Sequence, residues 1–191
     1  YLLGRYEFGK YTQAGWHNAI RYYEQALQLD PDYASAYCGL ADNYAYMGSV
    51  VMPEKEAMAK EKEFAQKALE LDPKLAEAHM SLALALVGAF DWPNGLKEFD
   101  RVLELNPNLA FAYELQAWTL NGLGRFDEAI AKTRKAVELD PLNPFYQMSL
   151  SFYQYWARQY DDAIPQARKT LEMDPNSAIS HVLLGLSFLK K

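Results

Sequence analysis

Cysteine is nearly missing from this chain of 191 residues: Cys38 is the single one. That excludes an intramolecular disulfide and a cysteine-based zinc site. The three histidines, His17, His79 and His181, are never four residues apart, so no His-Glu-x-x-His ligand pair exists. Long apolar runs are also lacking. The longest, Leu82 to Phe90, is too short to span a bilayer. Nor do basic residues dominate or cluster: 19 Lys and Arg stand against 25 Asp and Glu, a net charge of -6. Lys55, Lys60, Lys62 and Lys67 interleave with Glu54, Glu56, Glu61 and Glu63, the pattern of a solvated helix face. A phosphate-binding footprint needs clustered cations, so neither nucleic acid nor a membrane is expected as partner. No Gly-rich phosphate loop and no Gly-x-Ser-x-Gly elbow occurs. Tyr1-Leu2-Leu3-Gly4-Arg5 has no basic start and no cleavage site, so no secretory leader is expected, and the missing initiator Met reads as a piece of something longer. The expectation is a non-enzyme without cofactor or metal, in the cytoplasm.

What the chain does have is a repeated phrase: Leu29-Asp30-Pro31, Leu71-Asp72-Pro73, Leu105-Asn106-Pro107, Leu139-Asp140-Pro141 and Met173-Asp174-Pro175. The prolines lie 42, 34, 34 and 34 residues apart, so the second repeat carries an eight-residue insertion. Apolar residues before each proline recur at helical spacing, as in Phe126, Ala129, Ile130, Ala136 and Val137. A second helical segment follows each proline, and the proline itself ends the preceding helix. Eleven helices follow, near 1–11, 16–29, 33–47, 53–71, 75–88, 92–105, 109–122, 126–139, 144–157, 160–173 and 177–190. Gly48 and Gly124 stand at matching phases between the helices of a pair, with Gly15 one residue later, where a left-handed residue ends a helix. Pro93 and Pro144 suit helix starts, and Asn143 suits a cap. Pro165 falls in a second turn, where a local distortion is expected. Asp30, Asp72, Asp140 and Asp174 recur in phase and therefore belong to the scaffold, since a catalytic carboxylate is normally unique.

A 34-residue two-helix repeat with small residues at fixed phases resembles the tetratricopeptide (TPR) family. That family asks for small residues at repeat positions 8 and 20, bulky ones at 4, 7, 11 and 24, Ala at 27 and Pro at 32. The second repeat supplies Tyr37, Leu40, Ala41, Tyr44, Ala68 and Pro73. The third supplies His79, Leu82, Ala83, Leu86, Gly95, Phe99, Val102 and Pro107. The fourth supplies Tyr113, Ala117, Leu120, Ala129, Ala136 and Pro141, with Gln116 in place of Leu. The resemblance implies an all-α solenoid of about five and a half repeats in a right-handed superhelix. It would form one array over 1–191, divided near 1–33, 34–75, 76–109, 110–143, 144–177 and a partial 178–191. The opening Tyr1 to Tyr6, the inserted second repeat and Phe90-Asp91-Trp92 further resemble arrays attached to bacterial transcription regulators, cyclases or kinases. That likeness implies a regulatory module acting intramolecularly or by self-association.

In the family, positions 2, 5, 9 and 12 of the first helices line a concave groove. Carried over by phase, the resemblance implies a peptide-binding surface of Cys38, Asp42, Met80, Leu84, Phe111, Glu114, Trp118, Phe145, Met148, Phe152 and Tyr155. Either this aromatic, methionine-rich face is open and binds a partner, or a tight superhelix is simply filled by it. The Lys and Asn of the family's carboxylate clamp are replaced by Cys38, Asp42, Met80, Leu84, Glu114 and Trp118. An apolar or basic-apolar protein segment is therefore expected rather than an acidic tail. At the chain end, Leu184, Phe188 and Leu189 would lie partly bare, which predicts a homo-oligomer through the last helix. The insertion around Ser49-Val50-Val51-Met52-Pro53 should lengthen a loop and the helix after it, with an exposed apolar tip.

Overall fold

The structure, a computed structural model, describes residues 1–48 and 50–191. Ser49 of the insertion therefore lies outside the described residues. Eleven helices are present among those described: α1 (Leu2–Phe8), α2 (Gln13–Leu29), α3 (Ala34–Met47), α4 (Glu54–Leu71), α5 (Ala76–Gly88), α6 (Trp92–Leu105), α7 (Ala110–Gly122), α8 (Phe126–Leu139), α9 (Pro144–Trp156), α10 (Tyr160–Met173) and α11 (Ala178–Lys190). The only extended pairing among the described residues is an isolated bridge between Gly48 and Met52. The fold is all-α.

The helices form two compact units, Tyr1–Pro107 and Asn108–Lys191. In the first, each helix packs on the next from α1 to α6, and α3 also meets α5. In the second, each packs on the next from α7 to α11, and α9 also meets α11. Small side chains make this pairing possible. Ala41, Ala83, Ala117 and Ser151, each eighth in its repeat, are fully buried where the second helix crosses. At one crossing, a Cβ on Gly95 would sit 2.6 Å from Val87 Cγ2 and 3.2 Å from the Ala83 carbonyl. Tyr23, fully buried, is wedged in the same way: a Cβ added at Gly4 or Gly39 would lie 2.5 or 2.6 Å from its ring.

Polar clasps fix the joints between repeats. His79 Nε2 donates to the Pro73 carbonyl at 3.0 Å, Gln147 to that of Pro141 at 2.9 Å, and His181 to that of Pro175 at 2.9 Å. Two of the three histidines are thus turn fasteners at equivalent positions. Asn143 caps α9 through a bond from the Phe145 amide, 3.1 Å, and Pro93 and Pro144 sit in first turns.

The turns within repeats differ from the glycine-based expectation. Left-handed backbone occurs at Phe90 (φ 62), Gly124 (φ 74) and Arg158 (φ 61), spaced 34 apart. At each, the following amide reaches back to a helix carbonyl: Asp91 to Leu86, Arg125 to Leu120 and Gln159 to Gln154, at 2.8–2.9 Å. The hydrogen-bonded motif, rather than the glycine, is what repeats. Gly48 keeps an ordinary φ of -57. Gly15 lies inside α2, whose start is set three residues earlier by Thr12, its hydroxyl accepting from the Gly15 amide at 3.1 Å. This cap, with Tyr11 left-handed before it, ends α1 at Phe8. Pro165 sits on an exposed position of α10, which runs through it without a break. The insertion lengthens α4 to 18 residues against 14 for α6, α8 and α10.

Candidate functional site

In the second unit, Glu114 of α7 is hydrogen-bonded to both α8 and α9. Its carboxylate accepts from Thr133 Oγ1 at 3.1 Å, from the Tyr153 hydroxyl at 3.0 Å and from Ser149. Three hydroxyls from α8 and α9 thus converge on one buried carboxylate of α7. Burial still raises its pKa, and the three bonds oppose that rise. This knot ties α7 to the two helices that follow it. Phe111 and Trp118 stand one turn either side of Glu114, and Phe145 and Met148 stand on the opening half of α9.

Around this satisfied polar centre the surface is apolar. Phe111, Trp118 and Phe145 are 50, 61 and 49% exposed. Met148, Phe152 and Tyr155 are half-buried. Phe152 meets Trp156 edge-on at 6.0 Å, and Tyr155 meets both Trp156 and Tyr160. Trp156 itself is half exposed. Beyond them, α11 continues the same phases with Ile179, Val182, Leu186 and Leu189, all exposed. Of these, Ile179, Val182 and Leu186 escaped the sequence reading. The signal was there: the four are positions 2, 5, 9 and 12 of the partial sixth repeat.

In the first unit the equivalent helices are α3 and α5. Ser81 donates to Asp42 Oδ1 at 2.8 Å and ties the two together. Desolvation raises the Asp42 pKa, while Ser81 and the Arg5 charge pull it down. Met80 and Leu84 are half-buried beside it on α5. Cys38 is buried against Ala68 and Ala78, and burial pushes its thiol up to about 12, away from nucleophilic behaviour. Cys38 and Glu114, both read from sequence at position 5, therefore lie beneath the surface.

Glu61 was not singled out as a site residue, and it departs most from the repeat. It lies twelve residues before Pro73, where the other repeats carry Ala19, Gly95, Ala129 and Ala163. It is 6% exposed, and no hydrogen bond among the described residues reaches its carboxyl. Burial, aided by the Asp42 charge, pushes its pKa up to about 8. Among the described residues no group of three His, Cys, Asp or Glu is gathered as metal ligands, and no helix is long and apolar enough to cross a membrane.

Comparison with known proteins agrees with the geometry. A family model described as tetratricopeptide repeat matches residues 81–144 and 154–191, and a second of the same description matches 17–33. Transcriptional regulator HilA of Salmonella typhimurium and that of Salmonella typhi are each 36% identical over 73 residues. The match covers 38% of this chain but only 13% of those regulators. Three solved structures share the fold. One is YrrB, described as a TPR protein with an unusual peptide-binding site (TM-score 0.68, 23% identity, 87% of this chain and 82% of that one). Another is MamA (0.72, 23%, 90% and 96%). The third is a thermophilic TPR protein of Thermus thermophilus (0.73, 19%, 97% and 96%).

Proposed function

The chain belongs to the tetratricopeptide repeat family, and on that premise we propose that it is a non-catalytic scaffold gripping an apolar or basic-apolar protein segment on its first-helix faces. The observation that carries this is the exposure of Phe111, Trp118 and Phe145 around the satisfied Glu114 knot. Three large rings, Phe111 and Phe145 at the second position of their repeats and Trp118 at the ninth, are kept in water, and exposed aromatic clusters are characteristic binding hot spots. The absence of cations at the first-helix positions 5 and 9 argues against an acidic tail as ligand. The proposal includes a single array, because the 34-residue spacing of Pro73, Pro107 and Pro141 passes unbroken across the junction of the two units. It also includes self-association through α11, where Leu184, Phe188 and Leu189 lie, and a bacterial cytoplasmic setting. The partial similarity to HilA favours a second reading, a regulatory module of a larger signalling protein.

Calorimetric titration with two synthetic peptides tests the class of ligand. One is a leucine- and phenylalanine-rich peptide interspersed with lysine, the other a peptide with an acidic C-terminal tail. The first is expected to bind in the micromolar range and the second not to bind. Micromolar affinity for the acidic peptide alone would overturn the proposal.

A further inference from the structure

Two departures from the repeat fall in one place. The ninth residue of a first helix is apolar in Leu84, Trp118, Phe152 and Leu186, but it is Asp42 in α3. The residue twelve before the proline is small in the other four repeats, but it is Glu61 in α4. These two helices form the inserted repeat, inside one compact unit. The charge of Asp42 reaches Glu61 across the helix pair. Glu77 of α5 adds a further negative charge within reach of Asp42.

Glu114 shows how this chain houses a carboxylate that serves only the fold: three hydroxyls close over it. Asp42 and Glu61 lack that treatment. Ser81 donates to Oδ1 of Asp42 at 2.8 Å, and among the described residues no hydrogen bond reaches its Oδ2. The side chain is only half-buried, so that oxygen can meet an incoming group. Arg5 is the cation whose charge reaches Asp42, yet no ion pair among the described residues joins the two. Glu61 is 6% exposed and takes no hydrogen bond among the described residues. Beyond burial itself, the one charge acting on it is the like charge of Asp42. An enclosed acid beside a second acid costs free energy that an alanine there would not. A cation brought to the pair offsets that cost.

We propose that the first unit holds a lysine side chain of the partner segment, its ammonium on Asp42 Oδ2 and its charge shared with Glu61 and Glu77. The carboxyls among the described residues are not gathered as metal ligands, so the fit is to an organic cation on a stem. A guanidinium fork takes both oxygens of a carboxylate, and Ser81 already holds one of them. An ammonium is a point charge and needs only the other. Met80 and Leu84, half-buried on either side of Ser81 along α5, offer apolar cover for the lysine stem. The inference rests on the reading of the chain as a scaffold for a basic-apolar segment. It adds which charged residue that segment carries and which side chains receive it.

Calorimetric titration of the full chain at pH 9, where Glu61 is largely ionised, supplies the test. The probes are the lysine-interspersed Leu/Phe peptide and its copy with glutamine at every lysine, which removes the charge. The lysine peptide is expected to bind about tenfold more tightly than the copy. Asp42→Asn still accepts from Ser81 and folds; it is expected to abolish that difference. Glu61→Gln is expected to shrink it by about threefold or more. Neither substitution is expected to weaken the glutamine peptide. A general attraction of lysine to a chain of net charge -6 would barely respond to either one. Equal binding of the two peptides, or a difference that either substitution leaves intact, overturns the lysine site while the scaffold reading stands. Binding of neither peptide overturns both.

Discussion

Single residues show where the repeat tolerates strain and where it does not. The left-handed turn is held by glycine in one repeat and by Phe90 or Arg158 in two others. A non-glycine residue pays about 1 kcal/mol for that backbone. Arg158→Gly is therefore expected to raise stability by about 0.5–1 kcal/mol, and Gly124→Ala to lower it by a similar amount, both read from urea midpoints. Unchanged midpoints would mean that the turn relaxes. A larger loss is expected at Gly39. Its added methyl would overlap the Tyr23 ring, which the facing Gly4 keeps from moving away. Gly39→Ala should cost about 1–3 kcal/mol by thermal or chemical unfolding. The sequence displayed these glycines but not their duties. Gly15 looked like a turn and is a packing residue, because Thr12 capped the helix first.

At the scale of elements, the inserted pair α3 and α4 carries the clearest consequence. The long α4 places Ala57 and Ala65, both buried, one turn either side of Glu61. The sequence shows a charged, lysine-interleaved helix there, and only packing reveals that one carboxylate of the series is enclosed. The proton on Glu61 is held in the folded chain up to about pH 8, against an ordinary carboxylate value of 4.5. Between those values the folded state binds more proton than the unfolded one. Stability is thus greatest below the lower value and falls as pH rises through the upper. Asp42 and Glu114 are shifted the same way by burial and add to the trend. Glu61→Gln should remove much of it, raising stability by on the order of 1–3 kcal/mol at pH 9 and little at pH 5. Equal effects at both values would show that the carboxyl is not enclosed. Other helices needed no such correction. The boundaries of α6, α8 and α10 follow the spacing of aromatic starts and Leu-Asp-Pro-like ends, since local periodicity and a chain-breaking proline act within one segment.

For the whole molecule, period and small-residue phase are enough to specify an all-α repeat architecture. Neither can say which first-helix residues stay in water. That depends on what the next repeat contributes. Tyr153 and Ser149 close over Glu114, while nothing comparable covers Trp118. The α11 stripe was legible by the same phase arithmetic, carried one repeat further. The central claim is that the bare rings of α7 and α9 grip a partner and that equally bare residues elsewhere do not. Calorimetric affinity for the lysine-interspersed Leu/Phe peptide tests it directly. Phe111→Ala, Trp118→Ala and Phe145→Ala are compared with Leu29→Ala and Leu142→Ala, which remove side chains at least as exposed from outside that face. The account predicts losses of about tenfold or more for the first three, about 1.4 kcal/mol or more each, and unchanged affinity for the last two. Equal losses in both sets, or none in the first, would contradict it.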